Sequence, residues 1–141
     1  MEYEKKHQKT LDTAIEILRE KIPGLVAIIV FGSFGTEYER KESDLDLAIL
    51  TEEPANSLDP VQLWNLAQEL ARTINSDIEL IDLRQASTVF CFQVLSTGTP
   101  IYCANDVILA RFDTMIMSMY QRLQEERKDI LNDYQKGHFY G

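Results

Sequence analysis

One stretch constrains this chain more than any other. An apolar, β-branched run, Leu25 to Phe31, ends in Gly32-Ser33; ten residues intervene; and a second apolar run opens with Asp44-Leu45-Asp46. Pro23-Gly24 breaks the chain just before the first run, so Leu25–Phe31 reads as a buried strand. Gly32 and Ser33 then sit at the C-terminal end of that strand. A glycine there lets main chain approach a ligand closely, and main-chain amides with the Ser33 hydroxyl can donate to phosphate oxygens. Asp44 and Asp46 are two apart, so on a strand their carboxylates share a face, about 6–7 Å apart. At an effective dielectric of about 20 they repel by roughly 3 kcal/mol. A hard divalent cation such as Mg²⁺, shared with the phosphates of a substrate, offsets that repulsion and keeps both acids ionised.

Taken singly, Gly-Ser after a strand is most often a turn, and Asp-x-Asp on a strand is most often a solvated face. Side by side they supply what phosphoryl-type chemistry needs, a phosphate-cradling turn and a metal-binding pair. Rival motifs do not fit. The Asp pair lacks the glycine and later glutamate of a calcium loop, and the chain has neither a Gly-Lys-Ser/Thr P-loop nor a G-x-G-x-x-G turn.

The Gly32-Ser33, ten-residue, Asp44-x-Asp46 block resembles the signature of the DNA polymerase β-type nucleotidyltransferases. The short length resembles their minimal nucleotidyltransferase branch, and within it the chain looks like the MNT antitoxins that pair with HEPN ribonuclease toxins. The likeness extends through Ile78–Leu83 to Gly98–Tyr102, with the Gly-Ser and Asp-x-Asp block its specific part. It implies an α/β minimal nucleotidyltransferase fold, a small mixed sheet with flanking helices and a long C-terminal helix. It also implies an enzyme that uses Mg²⁺ to transfer AMP from ATP to a hydroxyl, a tyrosine of a cognate HEPN toxin, in a hetero-oligomer with that toxin. Asp44 and Asp46 would hold the metal, Gly32 and Ser33 the β- and γ-phosphates. In that family the third carboxylate lies early in the third strand, which points to Glu79, with Asp82 the alternative. Phe34, Thr36 and Glu37 stand where many relatives carry arginine, arginine and glycine, which leaves Arg40 and Lys41 as the nearby cations. The alternative function is a non-catalytic antitoxin that binds and occludes its toxin.

The rest of the chain sets the context. Its 141 residues, 45% hydrophobic and 26% charged, suit one domain over 1–141. A net charge of −9 and a pI near 4.7 argue against direct nucleic-acid binding, which needs clustered Lys and Arg. No apolar run is long enough to span a bilayer, and no signal peptide precedes Glu2-Tyr3-Glu4-Lys5-Lys6, so a cytoplasmic, non-membrane protein is expected. Cys91 and Cys103 sit in apolar surroundings without Cys-x-x-Cys spacing and are expected as reduced core thiols. His7 and His138 have no ligand company for zinc.

Helical spacing of Leu11, Ala14, Ile15, Leu18 and Ile22 predicts a helix from about Glu2 to Lys21. Thr36–Glu42 reads as a charged short helix and loop. Asp59-Pro60 predicts a capped helix start, with Leu63, Trp64, Ala67, Leu70, Ala71 and Ile74 buried. Ile78–Leu83 reads as a third strand, in which Glu79 and Asp82 fall on opposite faces. Ser87–Thr97 reads as a short apolar segment closed at Gly98, and Pro100–Cys103 as an edge strand. The Gly-Ser turn and acidic strand are expected on one edge of the sheet. A helix over about 106–136 would span about 45 Å, more than so small a domain covers. Its methionine-bearing part is expected in the core, and its far end and Phe139-Tyr140 are expected to meet a partner.

Overall fold

The structure, a computed structural model, describes residues 2–32 and 45–135. Ser33, Asp44, the Thr36–Glu42 segment with Arg40 and Lys41, Lys136, and Phe139-Tyr140 lie outside the described residues. The chain runs α1 (Glu2–Lys21), β1 (Leu25–Phe31), β2 (Leu45–Thr51), a 3-10 turn (Pro54–Asn56), α2 (Pro60–Ile74), β3 (Ile78–Asp82), α3 (Thr88–Thr97), β4 (Thr99–Cys103) and α4 (Asp106–Gln135). The four strands form one mixed sheet in the order β3-β2-β1-β4. β1 pairs antiparallel with β2 and β4, and β2 pairs parallel with β3 through the α2 crossover.

Helices cover both faces of the sheet. Ile28, Val30, Leu47 and Ile49 pack beneath Leu18 of α1 and Leu70 of α2. Ile29, Ala48 and Leu50 pack beneath Cys91 and Val94 of α3 and Phe112 and Ile116 of α4. Because β1 and β2 are apolar on both faces, they must be covered on both, and they form the centre of the sheet. The expectation that the turn and acidic strand lie on one edge is therefore corrected. They are the two central strands, and the edges belong to β3 and β4.

Local chemistry sets the helix ends. Asp59 Oδ1 accepts from the Gln62 amide at 2.8 Å and Gln62 Oε1 accepts from the Asp59 amide at 3.2 Å, a capping box with Pro60 at the first helical position. Ser87 Oγ accepts from the Phe90 amide at 3.1 Å to start α3. Asn105 Oδ1 accepts from Val107 and Ile108 at 3.1 Å to start α4. Gly98 does end α3, but with an ordinary φ of −78°. Space requires the glycine: a Cβ would lie 2.6 Å from Ile29 Cγ2 and from the Val94 carbonyl.

Two burial expectations are overturned. Trp64 is 63% exposed, and Leu66, Ala67 and Leu70 carry the buried face of α2 instead. Glu69 faces α1 through an ion pair with Lys21 at 3.9 Å, and Trp64 lies on the flank turned away from α1. Among the described residues of α4 only Phe112 and Ile116 are buried, whereas Met115, Met117 and Met119 are each more than 40% exposed. The helix runs 30 residues, about 45 Å, and its outer half extends past the sheet it packs on.

Candidate active site

Three strands present one row of side chains. Phe31 on β1 is registered against Asp46 on β2, and Asp46 is registered against Glu79 on β3. Registered residues on neighbouring strands point to the same face, with strands about 4.8 Å apart. Phe31, Asp46 and Glu79 therefore lie side by side on the α3/α4 face, near the end of β1 where Gly32 stands. Phe31 meets Phe90 of α3 edge-on, ring centroids 5.6 Å apart and planes at 88°.

Gly32 is fitted to this row. Its φ is +78°, a region that favours glycine, and a Cβ built there would collide with Asp46 Oδ2 and stand 3.3 Å from its Cγ. The strand that ends in glycine thus leaves room for the carboxylate of its neighbour.

The two candidates for the third carboxylate differ in placement. Glu79 is exposed, in register with Asp46 and on its face. Asp82 is registered against Ile49, three residues past Asp46, so alternation sends it to the other face. Only 3% exposed, Asp82 closes the turn after β3: Oδ1 accepts from the Arg84 amide at 3.0 Å and Oδ2 from Gln85 Nε2 at 3.3 Å.

Among the described residues no group of three or more His, Cys, Asp or Glu side chains could hold a metal. Asp46 and Glu79 form a described pair, and Asp44 lies outside the described residues. Two carboxylates in register, with a glycine cleared for close approach beside them, are hard oxygen donors of the kind that suit Mg²⁺. Among the described residues no helix is long and apolar enough to cross a membrane.

Residues 12–107 match the profile of the family described as Polymerase beta, Nucleotidyltransferase. The chain belongs to the polymerase β-type nucleotidyltransferase family. The match takes in all four strands and stops as α4 begins. The chain is 41% identical to the protein adenylyltransferase MntA of Shewanella oneidensis over 84% of this chain and 83% of that one. It superposes at a TM-score of 0.76 and 39% identity on a chain of a toxin-antitoxin crystal structure with AMP-PNP, covering 88% of this chain and 97% of that one. A structure of tri-AMPylated Shewanella oneidensis HEPN toxin in complex with MNT antitoxin gives 0.74 and 38%, over 91% and 98%.

As a nucleotidyltransferase, the chain takes a nucleotide substrate. Its fold is the expected one, a mixed four-stranded sheet with flanking helices and a long last helix. Sequence reasoning did not single out the surroundings of the row. Ile81 could have been found, since alternation puts it on the face of Glu79; Phe90 and Leu63 carry no such signal, because tertiary packing alone brings α3 and α2 to this flank.

Proposed function

We propose that this chain is a cytoplasmic, Mg²⁺-dependent protein adenylyltransferase that moves AMP from ATP to a tyrosine hydroxyl of a cognate HEPN toxin and so neutralises it. The observation that carries the reading is the Gly32–Asp46 fit with Glu79 in register beside it. Supporting it are the relatives, one named as a protein adenylyltransferase and one solved with its tri-AMPylated toxin.

Asp44, Asp46 and Glu79 are the residues that would hold Mg²⁺. When bound, the ion neutralises triphosphate charge and polarises the attacking oxygen. Gly32, lacking a Cβ, lets the main chain of the turn approach the β- and γ-phosphates, and its amides with the Ser33 hydroxyl donate to their oxygens. Glu79 takes the proton of the acceptor hydroxyl. The acceptor oxygen then attacks the α-phosphorus in line, the bond from that phosphorus to the bridging oxygen breaks, and pyrophosphate leaves.

A second reading, neutralisation by binding alone, draws on α4, whose apolar stripe continues past the domain and stays exposed at Leu123, Ile130 and Leu131. ATP labelled at either the α- or the γ-phosphate separates the two. Transfer requires α-label on the toxin, no γ-label, and loss of labelling in excess chelator. Equal neutralisation with no label on the toxin would favour occlusion.

A further inference from the structure

A groove of about 400 Å³ opens beside the row, lined by Leu63 of α2, Ile81 of β3, Ala86, and Phe90 of α3, with Asp82, Gln85 and Ser87 completing it. Ile81 shares the face of Glu79, two residues on and about 6–7 Å away. Phe90 is the ring that meets Phe31, the first member of the row. The groove is thus the next space along the outer strand from the carboxylate that takes the acceptor's proton.

We propose that this groove receives an apolar side chain of the acceptor protein, one or two residues from the hydroxyl that is adenylylated. The inference rests on the transfer reading above and assigns it an acceptor subsite.

Two observations and one consequence of the transfer reading point to the occupant. The Gly32 turn, where the triphosphate is placed, stands at the β1 end of the row, so the acceptor comes in from the β3 side, where the sheet ends. The polar groups of the groove bond within the protein. Gln85 Nε2 donates to the Leu58 carbonyl at 2.6 Å and to Asp82, Asp82 also accepts from the Arg84 amide, and Ser87 Oγ accepts from the Phe90 amide. What remains for a guest is the apolar surface of Leu63, Ile81, Ala86 and Phe90, which suits an aliphatic or aromatic side chain. A nucleobase there would leave its own donors and acceptors unpaired, and the Asp82 carboxylate disfavours phosphate.

The test fills or strips the groove and reads acceptor and nucleotide separately. Ala86→Leu fills it, and Leu63→Ala removes one wall; thermal unfolding of each variant checks the fold. Each should weaken binding of the cognate HEPN toxin to the AMP-PNP-loaded chain at least fivefold and raise the acceptor KM at least tenfold. The Kd for AMP-PNP alone should stay within twofold. Unchanged toxin affinity in both folded variants overturns the proposal. So does a Kd for AMP-PNP that rises in step, which would place the nucleobase in the groove. Toxin binding is measured without turnover. A chain that transfers nothing therefore contradicts the transfer reading, while the groove is still judged on affinity.

Discussion

Gly32 and Asp46 occupy one another's space: the position a Cβ would take on Gly32 is filled by the Asp46 carboxylate. This is a steric reason for Gly-Ser and Asp-x-Asp to occur together. The carboxylate needs room at the end of β1, and only glycine leaves it while holding a φ of +78°.

Gly32→Ala should therefore lose on two counts. Positive φ costs alanine about 1 kcal/mol, and the new methyl pushes Asp46 off its position. The expected outcome is a lower unfolding midpoint together with at least a hundredfold loss of transfer. Wild-type transfer in this variant would mean that the contact has no part in the site.

Glu79 and Asp82 separate by substitution. Glu79→Gln removes the proposed proton acceptor and should cost 10²–10⁴-fold in transfer, with little change in stability at so exposed a position. Asp82→Asn should do the reverse, weakening the turn at Arg84 and Gln85 by about 1–2 kcal/mol while transfer at saturating substrates persists. Asp46→Asn should abolish transfer and leave the fold intact or slightly stabilised, since a like-charge neighbour is relieved. Rates with the ion in excess, set beside denaturant midpoints, check all three.

Cys91 gives a pH dependence of stability. Burial first, and the charge of Asp82 second, push its thiol from 9.0 up to about 11. The unfolded chain loses this proton near its ordinary value while the folded chain keeps it. The stability is thus whole below the unfolded value and falls as pH rises from there towards the folded one, at about 1.4 kcal/mol per unit. Cys91→Ala should remove that part of the slope. Identical slopes in the two proteins would contradict the assignment.

Sequence made the local features legible and left the tertiary ones open. The strand ending at Gly32, the capping box of Asp59 and Gln62, and the length of α4 follow from neighbours along the chain. The alternation of Glu79 and Asp82 put them on opposite faces, but which faces Asp46 depends on the parallel register of β2 and β3, and no local pattern encodes that. Trp64 was misplaced because the apolar positions of α2 fit a wide stripe, and only the position of α1 shows which flank lies bare. The α4 methionines were misplaced for the same reason: periodicity gives a face, not where the sheet beneath it ends.

The outer half of α4 should bind the partner. Phe112, Ile116, Leu123, Ile130 and Tyr134 recur at steps of four and seven on one face, buried at the first two and 41% to 56% exposed at the rest. The double change Leu123→Glu with Ile130→Glu should alter stability by less than about 0.5 kcal/mol. It should also weaken toxin binding at least tenfold, by calorimetry. Unaltered affinity would place the partner surface elsewhere.

The most direct test of adenylyl transfer is the intact mass of the partner under denaturing conditions. The cognate HEPN toxin is incubated with this chain, ATP and Mg²⁺, then denatured and weighed. The expected result is a toxin heavier by one or more AMP units that stays inactive after this chain is removed, with no mass added when Asp46 is Asn. A toxin of unchanged mass that regains activity on separation would contradict the account.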